Sequence, residues 1–224
     1  MLCPYNPLYN NTKMLSIILL TTISYLLGSI PFGIIVSKLW KGIDIREHGS
    51  KNPGATNVYR VLGPVPALIV LILDIGKGLV ATLWVSRISI GQPILNPVSL
   101  MILAGIAVIL GHTFPIFAGF KGGKGVATGL GVLISLAPFE TVLALLLFLI
   151  IVGITRYVSL GSLSSASFIL LALAFEKYYL HKPISLELLI TVMVLTFFIF
   201  YTHRSNIKRL LNGTENKFGR KHKS

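Results

Sequence analysis

Residues 126–154, VATGLGVLISLAPFETVLALLLFLIIVGI, decide the fold. As one straight helix this stretch would run about 43 Å, well past the ~30 Å hydrocarbon core of a bilayer. Two full crossings would need roughly 40 residues. Pro138 sits in the middle, where its missing N–H and its ring break a helix and invite a turn. Charge chooses between one helix and two. The C-terminal tail carries Arg204, Lys208, Arg209, Lys217, Arg220, Lys221 and Lys223, and the loop after the first apolar run carries Lys41, Arg46, Lys51 and Arg60. The positive-inside rule assigns both groups to the cytoplasm. They share a side only if the number of crossings between them is even, and two short helices broken at Pro138 make it even. The competing reading, one long tilted helix, leaves the basic tail outside.

The other apolar runs, 15–39, 64–85, 97–117, 160–175 and 186–201, are each about one span long. The expectation is an all-α membrane protein of about seven transmembrane helices, N-terminus outside and C-terminus cytoplasmic. Loops 40–63, 118–125 and 155–159 and the tail then face inward, and Lys13, Arg87, Lys177 and Lys182 remain outward. The boundaries read as an N-terminal extension 1–13, one transmembrane domain 14–211 and a basic tail 212–224. Composition agrees. Only 12% of the 224 residues are charged, against about 25% in soluble domains, and mean hydropathy is +0.80. Twenty Lys+Arg against seven Asp+Glu give +13, which fits positive-inside topology, anionic lipid or a phosphate-bearing ligand. Nucleic acid is not expected, because the basic residues are scattered between apolar runs. The single cysteine, Cys3, excludes an intramolecular disulfide framework and a CxxC metal site. The first apolar run lacks an A-x-A-like cleavage site and is long enough to remain a span.

Four polar constellations fall on the inward side. In the loop 41–60, Gly49, Pro53 and Gly54 break regular structure, Ser50, Asn52, Thr56 and Asn57 bring hydroxyls and amides, and the Arg46 and Arg60 forks match phosphate or carboxylate. An ordinary loop explains the charges but not this density of small hydrogen-bonding residues. The second is Gly119-Phe-Lys121-Gly122-Gly123-Lys124-Gly125 before an apolar helix. Its glycines would let backbone N–H groups approach an anion at a helix N-terminus; a flexible turn with two positive-inside lysines reads equally well. Lys124 is followed by Gly125, so it is not a Walker A loop. Third, His203 and Asn206 lie i,i+3 on a helix continuing from the last span, with Arg204 and Lys208 on another face. The basic residues suit a membrane anchor; the histidine and asparagine do not. The fourth, Arg156-Tyr-Val-Ser159, reads by default as a short turn. Asp74 and Lys77, i,i+3 at membrane depth, should pair. Phe117 and Lys208 stand five residues after His112 and His203, so the HxxxxD pattern of acyl-CoA acyltransferases is absent. So are G-x-S-x-G, H-E-x-x-H and any acidic cluster for metal. A transporter for a phosphorylated metabolite is the rival class, although its outward loops should be richer in polar groups.

Taken in order, the motifs resemble the PlsY-type acyl-phosphate:glycerol-3-phosphate acyltransferases of bacteria. The matching segments are Gly28-Ser-Ile-Pro-Phe-Gly33, Asp44-Ile-Arg46, Gly49-Ser-Lys-Asn-Pro-Gly-Ala-Thr-Asn57 with Arg60, and Gly111-His-Thr-Phe-Pro115. They continue with Phe120-Lys-Gly-Gly-Lys-Gly-Val-Ala-Thr128, Arg156-Tyr-Val-Ser-Leu160, His203-Arg-Ser-Asn-Ile-Lys-Arg209 and Gly213-Thr-Glu215. The resemblance implies transfer of a fatty acyl group from acyl phosphate to the 1-hydroxyl of glycerol 3-phosphate, yielding lysophosphatidic acid at the cytoplasmic face of the inner membrane. It implies Ser50, Arg60, Lys124, His203 and Asn206 as catalytic residues. Substrate and phosphate binding would fall to Arg46, Asn52, Thr56, Asn57, Lys121, Gly122, Gly123, Gly125, Ser159, Arg204 and Glu215. No metal or cofactor is expected; the partners are the two substrates, membrane lipid and the soluble enzyme that makes acyl phosphate. One departure is Lys51, where the family has glycine, since lysine tolerates positive φ poorly.

Overall fold

The computed structural model describes residues 7–90 and 95–219, with side chains from Met14 onward. Cys3, Arg220, Lys221 and Lys223 lie outside the described residues. Ten α-helices follow in order: α1 (Pro7–Ser29), α2 (Phe32–Lys41), α3 (Ala55–Leu62), α4 (Pro64–Leu83), α5 (Pro97–Thr113), α6 (Val126–Leu136), α7 (Pro138–Thr155), α8 (Val158–Tyr178), α9 (Leu186–Thr202) and α10 (Arg204–Leu211). α1 starts at Pro7, within the segment read as an N-terminal extension.

Proline and small capping residues set most of the breaks. Pro138 takes the first position of α7, and α6 stops at Leu136. The expected break is there, but only α6 is short: 11 residues against 18 in α7, or about 16 and 27 Å. The first apolar run, expected as one span, is interrupted at Pro31 between α1 and α2. Gly63 at φ 93 ends α3, and Pro64 starts α4. The Asn96 side chain accepts from Ser99 N and that of Ser185 from Leu188 N, capping α5 and α9. The last span does not continue straight into α10: the two helices meet at His203 with a 61° bend.

Among the described residues, five segments are long and apolar enough to cross a bilayer, Met14–Lys41, Pro64–Arg87, Pro97–Ala118, Pro138–Thr155 and Val158–Tyr178. The bent pair α9–α10 makes a sixth. Their outer faces carry Leu68, Ile72, Leu146, Leu149, Ile150 and Phe197 exposed, which is a lipid-facing surface. Inside, helices meet at small residues. A Cβ at Gly28 would lie 2.2 Å from Val108 O and one at Gly111 2.2 Å from Tyr25 O, so α1 and α5 approach backbone to backbone.

The loops sort to two ends. Ser99 Oγ donates to Glu187 at 2.5 Å, joining the start of α5 to that of α9 at one end. At the other, Arg46 donates to Ala118 O at 3.1 Å, Lys124 meets Asn206, and Phe218 N donates to Arg156 O at 2.7 Å. Both ends of 126–154 therefore return to the same end of the bundle. α6 and α7 form a hairpin, and the long single helix is ruled out.

Candidate active site

α6 begins two residues after Lys124, with Gly125 as its cap, and α10 turns Asn206 back across the end of the bundle. Lys124 Nζ hydrogen-bonds Asn206 Oδ1, while Asn206 Nδ2 donates to Glu215 Oε1 at 2.7 Å. The Ser159 hydroxyl donates to the same oxygen at 3.1 Å, and Arg209 Nε to the other at 2.7 Å. Glu215 is 7% exposed, and its one carboxylate joins side chains from α8 and α10. By bonding the Asn206 NH₂ it also fixes the amide orientation, so that the carbonyl oxygen faces the lysine. Burial is the main cause that pushes the Lys124 amine down to about 8; the Arg209 and Arg60 charges add to it and Glu215 opposes it.

His203 sits at the α9–α10 bend, 3% exposed, with Nδ1 2.8 Å from Ile199 O. A ring nitrogen facing a carbonyl carries the proton, which leaves Nε2 as an acceptor. Burial first, then the Lys124 charge, pushes the imidazole down to about 4, so it is neutral at physiological pH. Arg60, from α3, is half-buried. Nη2 donates to Asn216 O at 3.2 Å, and the buried Nε has no partner among the described residues. Burial lowers its pKa despite Glu215 nearby.

The residues expected to act in catalysis or to bind phosphate divide into three sets. Lys124, Arg60, His203, Asn206 and Ser159 converge. Ser50, exposed, and Thr56, half-buried, lie on the neighbouring loop and the first turn of α3. Lys121 is exposed and Gly125, at φ 83, caps α6. Others are engaged elsewhere. The Arg46 fork grips Asp44 at 2.7 and 3.0 Å and holds that carboxyl at about 2, while Nη1 reaches Ala118 O. It ties two loops together rather than facing an anion. Asn57 Oδ1 accepts from Ser50 N at 2.8 Å and Nδ2 donates to His48 O at 3.0 Å, and Asn52 Oδ1 accepts from Gly54 N at 2.9 Å. Both amides shape their own loop. The N–H groups of Gly122 and Gly123, expected to face an anion, donate to Thr113 O and His112 O at 3.2 and 3.1 Å. These glycines serve close packing. Arg204 is exposed, stacked over Tyr201 at 4.6 Å, which leaves it an interfacial anchor. The expected division of α10 holds, with His203 and Asn206 buried and Arg204 and Lys208 exposed.

The expected tail is part of the site. Besides Glu215 and Asn216, it supplies Phe218, which stacks on Tyr59 with ring centroids 4.4 Å apart. Residues 212–219 thus strap α3 to the α7–α8 turn. In the sequence Arg209 reads as a tail charge and as the end of the His203–Arg209 motif; its i,i+3 spacing from Asn206 on α10 is the signal that places it here.

Fold and site define a polytopic membrane protein with a cationic cluster, Arg60, Lys124 and Arg209 around one carboxylate, at one end of its bundle. A family model described as glycerol-3-phosphate acyltransferase matches residues 18–213. A glycerol-3-phosphate acyltransferase of Chlorobaculum tepidum is 43% identical, with 93% of this chain and 100% of that protein covered. Another, of Chlorobium phaeobacteroides, is 42% identical over 92% and 99%. The crystal structure of PlsY (YgiH), an integral membrane glycerol 3-phosphate acyltransferase, in its glycerol 3-phosphate form, superposes with a TM-score of 0.79 at 38% identity, covering 91% of this chain and 96% of that one. Its lysophosphatidic acid form gives 0.76. The chain belongs to the PlsY-type glycerol-3-phosphate acyltransferase family.

Proposed function

We propose that this protein transfers a fatty acyl group from acyl phosphate to the 1-hydroxyl of glycerol 3-phosphate, releasing lysophosphatidic acid and phosphate at the cytoplasmic face of a bacterial inner membrane. The observation that carries the reading is the convergence of Lys124, Arg60, His203 and Asn206 at the loop end of the bundle. Both substrates are anions, and a site that holds them together needs more positive charge than Glu215 cancels; Arg60, Lys124 and Arg209 supply it. The half-buried Arg60 carries an Nε donor that has no partner among the described residues and is suited to phosphate.

The acceptor oxygen attacks the acyl carbonyl carbon, the bond from that carbon to the phosphate oxygen breaks, and the departing phosphate leaves with the hydroxyl proton. His203 is a weak base at about 4. Its role is to accept a hydrogen bond from the hydroxyl and aim it. Lys124, Arg60 and Ser50 hold phosphate or the developing oxyanion, so orientation and electrostatics supply most of the rate. Lys121 and Gly125 flank the same anion, Thr56 lies on the acceptor side, and Ser159 acts through Glu215. An apolar groove of about 670 Å³, lined by Leu160, Leu163, Phe168, Leu171, Phe200 and Leu211, begins one residue from Ser159 and offers the acyl chain a lipid-level seat. Seven membrane segments, counting the short α6 that pairs with α7, with the N-terminus outside put the basic loops inside. Purified protein in liposomes, given acyl phosphate and glycerol 3-phosphate and no soluble partner, should release lysophosphatidic acid and phosphate in equal amounts. Product from an acyl thioester but none from acyl phosphate would refute the donor assignment.

A further inference from the structure

Beneath the glycine loop lies a buried charge cluster that the reaction described above does not use. Asp74 and Lys77 on α4 pair at 2.8 Å, and His112 on α5 brings Nδ1 to 3.4 Å from the same Asp74 oxygen. Their side chains are 3%, 2% and 9% exposed. Burying such groups is costly, and apolar residues of the same volume generally serve stability better. Lys77 has a local reason to be there. Its amine donates to Gly28 O and Ile30 O, at 2.9 and 3.2 Å, carbonyls next to the Pro31 break between α1 and α2. Asp74 balances the lysine. His112 is not needed for either task.

The far edge of the His112 ring explains it. A Cβ at Gly123 would stand 2.1 Å from His112 Nε2 and 2.8 Å from Cε1, so the ring lies directly against the Gly123 backbone. The same residue's carbonyl accepts from Gly123 N at 3.1 Å. His112 therefore grips Gly123 twice, by ring and by backbone, and the next residue is Lys124. The small cavity between these groups, also lined by Pro31, Gly33 and Pro53, has room for roughly one water, so the ring has little freedom to swing away.

We propose that Asp74 and His112 are positioning residues for Lys124: the carboxylate orients the imidazole, the imidazole fixes Gly123, and Gly123 sets the lysine against Asn206. This rests on the reading of Lys124 as a ligand for substrate phosphate.

A double-mutant cycle tests it on full-length protein in liposomes, with kcat/KM for glycerol 3-phosphate as the readout. His112→Asn keeps an amide donor for Asp74 and removes the ring from Gly123. It should lower kcat/KM about tenfold in the wild-type background and less than about twofold in a Lys124→Ala background, because residues acting through one group are not additive. A purely structural histidine would cost the same factor in both backgrounds, and that result overturns the proposal. Full activity of His112→Asn also overturns it. A second cycle reads the contact itself. Gly123→Ala forces a methyl into the ring, and adding His112→Asn should restore both a monodisperse protein and part of its activity. A double variant that aggregates or stays as impaired as Gly123→Ala overturns the proposal. The underlying functional reading fails separately, by unchanged kcat/KM in Lys124→Ala alone.

Discussion

Under the proposed function, the alkaline limb of the pH–rate profile should belong to Lys124. Burial and two neighbouring arginines hold its amine at about 8 instead of 10.5. Protonated, it offers charge to a phosphate; neutral, it does not. The kcat/KM for glycerol 3-phosphate reports the free protein, so it should fall above pH 8, about tenfold for each unit. A bound phosphate dianion favours the charged amine, so the limb in kcat should lie at higher pH than the limb in kcat/KM. Lys124→Arg separates charge from shape. A guanidinium stays protonated throughout this range, so the variant should show a lower plateau, its larger fork fitting Asn206 poorly, and no alkaline limb. The assay is initial-rate release of lysophosphatidic acid from pH 6 to 9.5 in both proteins. A wild-type profile flat to pH 9.5, or an identical limb in Lys124→Arg, would show that Lys124 does not set the limb.

Glu215→Gln keeps the shape and removes the charge that Arg209, Asn206 and Ser159 share. Hydrogen bonds to charged groups contribute about 1.5–3 kcal/mol, and with Arg209 about one-third exposed the loss in stability should fall at the low end, read by thermal unfolding. The same variant should move the Lys124 limb below pH 8, since Glu215 is the charge that raises that amine. Arg60→Ala should raise KM for both phosphorylated substrates at unchanged melting temperature, whereas Arg46→Ala, which unties Asp44 from Ala118, should lower the melting temperature with KM near wild type. Lys51→Gly should stabilise the protein by about 0.5–1 kcal/mol without altering kcat, because Lys51 holds φ 60 in the left-handed region. An unchanged melting temperature would show that the turn carries no such strain.

The division between legible and hidden features has physical causes. Pro138 and the parity of basic loops are local and additive signals, and the hairpin of α6 and α7 follows from them. Pro31 is the same kind of signal, masked by a continuous apolar run that hid the α1–α2 break. The convergence of Lys124 and Asn206 was foreshadowed by sidedness, since charge placed both on one face of the membrane. Which glycines and arginines face substrate could not be read from type and spacing. Gly122 and Gly123 look like an anion cradle, yet their N–H groups close a turn onto α5. Arg46 looks like a phosphate fork, yet Asp44 two residues away claims it. Lys51 was expected to resist positive φ and adopts it, held by its N–H to His48 O at 3.0 Å. The fold of residues 212–219 over Arg60 depends on Phe218 meeting Tyr59 across more than half the chain, a contact that no local pattern announces.

Under the proposed function, one cationic site holds both phosphorylated substrates at once and passes the acyl group directly between them. Initial rates measured over a matrix of acyl phosphate and glycerol 3-phosphate concentrations test it most directly. Double-reciprocal lines should intersect, as ternary-complex transfer requires. Parallel lines, with the acyl group recovered on Ser50 after exposure to donor alone at a rate that keeps pace with turnover, would contradict it.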